Sequence, residues 1–166
     1  MITIRRGTCE DTQRVLTFLA QVKAEMTHKE WLCLDTPEEF RERIENGIER
    51  LWVAEDGEKL AGIFTVVFPG TSPVNYGWHL KLPPEDLARV VNMDTAAVHS
   101  DYRGQGLQRR LMQAAERELE PGRILLCTIH PDNAYSLRNA QSQGYEIQAT
   151  LPMYGSVRHL LQKDSK

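Results

Sequence analysis

Apolar residues recur along the chain with two different spacings, and the changes of spacing mark out its elements. Ile2 to Arg5 alternates apolar and polar, the period of a half-buried strand. Val15, Phe18, Leu19, Val22 and Met26 then fall on one helical face. Thr8 with Asp11 three residues on is a variant of the capping box that opens such a helix. Thr36-Pro37-Glu38-Glu39 caps a second helix, with Pro at the first helical position, Phe40 and Ile44 as its buried stripe and Gly47 near its end. Leu51 to Ala54 reads as a strand, Asp56-Gly57 as a tight turn, and Leu60 to Phe68 as the strand paired back on it.

The spacing is lost from Gly70 to about Arg89, a stretch with Pro73, Pro83, Pro84, Tyr76 and Trp78, in which Pro84 to Leu87 forms at most a helical turn. A connection of this length usually carries function or moves. Val91 to Val98 is a third long strand. A glycine turn follows it, then a helix from about Gly104 to Leu119 that buries Leu107, Leu111, Ala114, Ala115 and Leu119. Pro121-Gly122 ends that helix. Ile124 to Ile129 is almost wholly apolar, as in a strand covered on both faces. Pro131-Asp132-Asn133 opens another helix, which Gly144 closes, and Tyr145 to Ala149 and Val157 to Leu161 read as closing strands. With no repeat, low-complexity tract or linker, residues 1–166 read as one α/β domain.

Composition narrows the function. Hydrophobic residues are 41% of the chain and charged residues 26%, typical of a soluble globular protein. A formal net charge of −3 argues against a nucleic-acid partner, which requires a basic surface, but leaves room for a local basic pocket. No apolar run approaches the ~20 residues of a membrane span, so no membrane partner is expected. Met1-Ile2-Thr3-Ile4-Arg5-Arg6 lacks the layout of a signal peptide, and a cytoplasmic location is expected. Cys9, Cys33 and Cys127 are odd in number and widely spaced, which suits a reducing compartment. No His, Cys, Asp or Glu cluster has metal-ligand spacing, so no metal is expected.

The chemistry concentrates in the strand, turn and helix around Arg103-Gly104-Gln105-Gly106. A helix N-terminus exposes unpaired backbone N–H groups and a partial positive charge, and glycines let a phosphate approach that backbone. The ligand expected there is anionic, such as a pyrophosphate. Arg109 and Arg110 add charge nearby, or are solvated helix arginines. A tight turn without any ligand would give the same glycine spacing. A P-loop is excluded because its closing Gly-Lys-Ser/Thr is absent, and a dinucleotide fingerprint lacks its third glycine, Arg109 standing there.

The run from Ala96-Ala97-Val98 through Asp101-Tyr102-Arg103-Gly104-Gln105-Gly106-Leu107-Gln108 to Met112 resembles the acetyl-CoA motif of the GNAT N-acetyltransferase superfamily. That motif is Arg or Gln, two residues, Gly, one residue, then Gly or Ala. Arg103 and Gly106 match its first and fourth positions, and Gln108 stands where Gly or Ala is usual. Asn133 to Ala140, followed by Gly144-Tyr145, is similar to the family's later helix.

The resemblance implies a mixed, mostly antiparallel central sheet flanked by helices and splayed at the acetyl-CoA site. It implies acetyl-CoA as cosubstrate. Ala96, Ala97 and Val98 would pair with the pantetheine arm, amides of Arg103, Gly104, Gln105, Gly106, Leu107 and Gln108 would hold the pyrophosphate, and Asn133 and Ser136 would meet the far end of the arm. The reaction would be direct attack of an amine on the thioester. The acceptor would be a small-molecule or peptide amine, and the protein a monomer or homodimer. Many members also place a Tyr acid seven residues after the Asn, where this chain has Ala140.

Asp94 is the residue placed to serve as base, on one strand face with Asn92 and Ala96, although a solvated carboxylate fits that position too. His99 and His130 read as loop histidines and Cys127 as a core thiol. Trp31, Tyr76, Trp78 and Tyr154 are the residues for an acceptor pocket, Trp31 and Trp78 foremost because they fall in irregular segments. Two function classes lead, an acyltransferase or a module that binds acyl-CoA without turnover as a sensor or partner domain; dinucleotide binding is a third, weaker one because of the missing glycine.

Overall fold

The computed structural model describes residues 1–165. Its seven strands follow the order β1-β2-β3-β4-β5-β7-β6. They are β1 (Ile2–Arg6), β2 (Glu49–Asp56), β3 (Lys59–Val67), β4 (Val90–Val98), β5 (Ile124–Ile129), β6 (Glu146–Met153) and β7 (Ser156–Asp164). The helices are α1 (Thr12–Glu25), α2 (Pro37–Glu45), α3 (Pro84–Leu87), α4 (Leu107–Arg117) and α5 (Ala134–Ser142). The mixed, mostly antiparallel sheet with flanking helices agrees with the sequence expectation. The chain forms two compact units, one of Met1–Val66 and Thr95–Glu118, the other of Val67–Asp94 and the chain from Leu119 onward. Among the described residues no helix is long and apolar enough to cross a membrane.

In the first unit β1 pairs antiparallel with β2, from Ile2 opposite Asp56 to Arg6 opposite Trp52. Both expected capping boxes form: Thr8 with Asp11 before a short 3-10 turn that leads into α1, and Thr36 with Glu39 at the start of α2. They form because the side-chain oxygens take up N–H groups that have no partner within the helix. Val15, Phe18, Leu19 and Val22 of α1 and Phe40 of α2 are buried with Leu51, Val53 and Ile63. Arg43 ties α2 to the buried carboxylate of Glu49 at 2.9 Å and also to Asp35, so the charge of Glu49 is not buried alone.

The helix after the glycine turn is shorter than its sequence predicts, Leu107–Arg117 instead of about 104–119. Gly104 and Gly106 have φ of 79° and 69°, in the left-handed region, so the helix cannot begin before Leu107. At the other end Glu118 caps it and Leu119 lies beyond, half-buried, two residues ahead of Pro121. Leu107, Leu111, Ala114 and Ala115 are buried as expected, and Met112 joins them. α4 lies close over Gly62, where an added Cβ would come within 3.3 Å of Leu107 and Leu111 side chains and 3.1 Å of the Ala97 carbonyl.

In the second unit the 70–89 stretch is more ordered than its spacing predicts. It holds a 3-10 turn at Tyr76–Leu80 as well as α3. Asn75, fully buried, donates to the carbonyls of Gly70 (2.8 Å) and Leu87 (3.1 Å) and accepts from the Gly77 N–H (2.7 Å). β4 and β5 run parallel, and their ladder extends from Val90 opposite Ile124 to Asn92 opposite Leu126. β7 pairs antiparallel with both β5 and β6. β6 reaches past Pro152, which an outer strand tolerates because one edge needs no ladder N–H. The buried centre is Tyr76, Val90, Ile124, Leu126 and Leu160.

Candidate functional site

The glycine turn leaves β4 at Val98 and is fixed before it reaches α4. The His99 N–H donates to the Ala61 carbonyl at 2.8 Å, and His99 Nδ1 accepts the Asp101 N–H at 3.0 Å. Lys59 pairs with Asp101 at 2.9 Å, and the Tyr102 hydroxyl donates to Asp56 at 2.7 Å. From there Arg103, Gly104 and Gln105 are exposed. Nothing lies within 4 Å of the positions a Cβ would take on Gly104 or Gly106. The first helical bond of α4 is donated by Arg110 to the Gly106 carbonyl at 3.1 Å, so the amides of the preceding turn have no acceptor within the helix. Gln108 is half-buried in that first turn, while Arg109 and Arg110 are exposed. On β4, Ala97 is buried and Ala96 and Val98 are half-buried.

The second unit joins three of the residues singled out separately in the sequence. The Tyr76 hydroxyl donates to Asp94 Oδ1 at 3.2 Å and lies 3.0 Å from the Tyr154 hydroxyl. Tyr76 is 7% exposed, and burial together with the Asp94 charge holds its phenol well above the ordinary tyrosine value. Tyr154 has φ 55°, unusual for a bulky residue, and with Gly155 (φ 75°) makes the two-residue turn between β6 and β7. The Arg158 guanidinium sits 5.9 Å from the centre of its ring. The hydroxyl bond and this contact hold Tyr154 in a conformation that it would otherwise adopt rarely.

The remaining candidates are placed as follows. Trp78 is 46% exposed, and its Nε1 donates to the Ser72 carbonyl at 2.9 Å. Trp31, in the first unit, stacks on His28 with ring centres 4.4 Å apart. Asn133 caps α5 by accepting the Ser136 N–H at 3.3 Å. His130 Nδ1 accepts the Asp132 N–H at 3.1 Å, so both loop histidines have a backbone role. Cys127 is a buried, unlinked thiol in β5. Thr128 and Arg158 escaped the sequence reading. Thr128 is a polar residue inside an apolar strand run, a signal that marks a buried partner but does not say which, while Arg158 beside His159 carries no such contrast. Asn75 also escaped, although an Asn two residues before Gly77 is a turn signal.

A family model described as the acetyltransferase (GNAT) family matches residues 17–145, and the chain belongs to that family. No curated protein matches it in sequence. Solved structures share its fold. A GNAT-family acetyltransferase from Streptococcus agalactiae superposes with a TM-score of 0.75 at 20% identity, covering 99% of this chain and 96% of that one. The Salmonella typhimurium protein yncA, solved with its cofactor acetyl-CoA, gives 0.71 at 17% identity, covering 99% and 94%. Arabidopsis thaliana NAA60, solved in complex with a bisubstrate analogue, gives 0.71 at 16%, covering 99% and 98%.

Proposed function

We propose that this chain, with residues 1–166 as one functional domain, is an N-acetyltransferase that moves the acetyl group of acetyl-CoA to a primary amine by direct attack. The observation that carries the reading is the turn at Arg103 to Gln108. Two left-handed glycines with open space around them lead into the first turn of a helix, a surface on which backbone N–H groups meet a pyrophosphate. Acetyl-CoA supplies the activated thioester. In this reading the backbone of Ala96, Ala97 and Val98 pairs with the pantetheine arm. Asn133 and Ser136 meet its far end, Asn133 through its side-chain amide because its oxygen caps α5.

Attack requires a neutral amine. Asp94 takes the amine's proton as its carboxylate becomes a carboxylic acid, and a backbone N–H of β4 steadies the oxyanion that develops; its collapse breaks the C–S bond, giving the amide and a CoA thiolate that takes its proton from solvent. Tyr76 and Tyr154 stand beside Asp94 on the acceptor side, with Trp31 and Trp78 as further acceptor contacts. Thiol release from acetyl-CoA over a panel of primary amines tests the reading. Turnover with at least one amine is expected. Asp94→Asn should lower kcat by ~10²–10⁴-fold with acetyl-CoA affinity retained. Gly106→Val should instead abolish tight acetyl-CoA binding, because a β-branched residue disfavours this φ and fills the approach. Tight binding without turnover across the panel would make the chain a binding module and overturn the enzyme.

A further inference from the structure

A buried hydrogen-bonding network is stabilising only when each member finds its partner. The second unit builds a hydrogen-bonding network around one buried oxygen, that of Tyr76. Tyr76 Oη donates its single proton to Asp94 Oδ1, so in its 3.0 Å contact with Tyr154 the donor is Tyr154. Arg158, whose guanidinium lies 5.9 Å from the centre of the Tyr154 ring, is itself fixed on Thr128: its Nε–H donates to Oγ1 at 3.0 Å and its Nη2 to the Thr128 carbonyl at 2.9 Å. Arg158 and Tyr76 are each 7% exposed. The hydroxyl donors therefore point one way, from Tyr154 through Tyr76 to the Asp94 carboxylate.

The backbone of Tyr76 is fixed on both sides. Its own N–H donates to Asn92 Oδ1 at 3.3 Å, and Asn92, 2% exposed, returns a bond to the Val74 carbonyl at 2.9 Å. The N–H of the next residue, Gly77, donates to Asn75. An added Cβ on Gly77 would lie 2.9 Å from both the Asn75 oxygen and a Leu87 methyl, so any larger residue there would push these side chains aside. A phenol held this firmly, and kept protonated by burial, is a fixed donor and not an acid or base in its own right.

We propose that Tyr76 is a positioning residue: its buried hydroxyl, itself accepting the hydrogen bond of Tyr154, holds the Asp94 carboxylate in the orientation in which it takes the acceptor's proton. The inference rests on the assignment of Asp94 as base. Preorganising a charged group in this way contributes to rate because the group need not be reoriented during reaction. Since Tyr76 acts through Asp94, its effect must disappear when Asp94 can no longer take a proton.

The experiment is a double-mutant cycle of Tyr76→Phe and Asp94→Asn on the full chain, with the amine of highest turnover. It reads kcat, acceptor KM, acetyl-CoA affinity by calorimetry, and thermal unfolding. Tyr76→Phe should lower kcat by about tenfold or more, the loss of one hydrogen bond to a charged group. Its acetyl-CoA affinity should change by less than about twofold, and in the Asp94→Asn background the same change should cost less than about twofold. Tyr154→Phe, one bond further out, should lower kcat in the same sense by less. A slow Asp94→Asn combined with unchanged kcat in Tyr76→Phe overturns the inference and leaves the base in place. Losses that multiply in the double variant, or that follow a fall in melting temperature, overturn it likewise. Asp94→Asn at the original rate removes the base assignment, and the inference with it.

Discussion

Position 140 is an alanine, 1% exposed, whose carbonyl accepts the N–H groups of Gln143 and Tyr145. In many relatives a tyrosine seven residues after the helix-opening Asn protonates the departing thiolate, and a methyl group cannot. CoA thiolate is nevertheless a tolerable leaving group near neutral pH, since thiols ionise near ~8.5. Tyr135 is half exposed on α5, and the Tyr154 hydroxyl is committed to Tyr76. We therefore expect Tyr135→Phe and Tyr154→Phe each to cost less than about tenfold in kcat, below the ~10²–10⁴-fold of an essential general acid. A hundredfold loss in either, with acetyl-CoA binding intact, would show that the acid has moved there. The sequence offers Asp94, Tyr76 and Tyr154 one at a time, each for its own reason. It cannot offer their bonds, because Tyr76 and Tyr154 are 78 residues apart and meet only through the strand pairing. Thr128 was unreadable for the same cause: inside an apolar run, a polar residue looks like an exception until its partner is known.

At the scale of elements, what depends on nearest neighbours was legible. Both capping boxes, the Asp56-Gly57 turn and the bounds of β5 follow from residues within a few positions of each other. The order within 70–89 was not, because Asn75 reaches Leu87, twelve residues on. The first capping box also carries a pH dependence. Asp11 accepts the Thr8 N–H at 2.8 Å and receives both forks of Arg5, at 2.9 and 2.8 Å. The Arg5 guanidinium first, and then the Thr8 N–H, hold its carboxyl down to about 2, against burial that opposes them. A carboxyl lowered in the folded state adds stability that is complete above its unfolded value near ~4 and is lost as pH falls towards about 2. Asp11→Asn retains a cap acceptor and loses the charge. Its stability deficit at neutral pH should be roughly 1 kcal/mol, since Arg5 is partly solvated and screened. That deficit should shrink between pH 4 and 2, where the unsubstituted protein loses the same contribution. Urea unfolding at several pH values measures it, and a constant deficit would show that the cap acts without its charge.

For the molecule as a whole, the net charge and the proposed cosubstrate pull in opposite directions. The chain carries a formal −3, and acetyl-CoA is a polyanion. Beyond a screening length only the net charge would be felt, and it repels. Near the turn the balance reverses: Arg103, Arg109 and Arg110 are all exposed within eight residues of sequence, beside the N-terminus of α4. Binding should then depend on salt in the sense of a local attraction. Raising ionic strength from about 0.1 M to about 1 M shortens the screening length from ~10 Å to ~3 Å, and the acetyl-CoA Kd should rise several-fold. Backbone amides are donors of fixed geometry and are less sensitive to salt, so some affinity should remain at the upper limit. Arg109→Gln with Arg110→Gln should weaken binding at low salt and flatten the dependence, while leaving high-salt affinity close to that of the unsubstituted protein. An affinity indifferent to salt in the unsubstituted protein would show that the amides hold the pyrophosphate alone and that these arginines are solvated side chains.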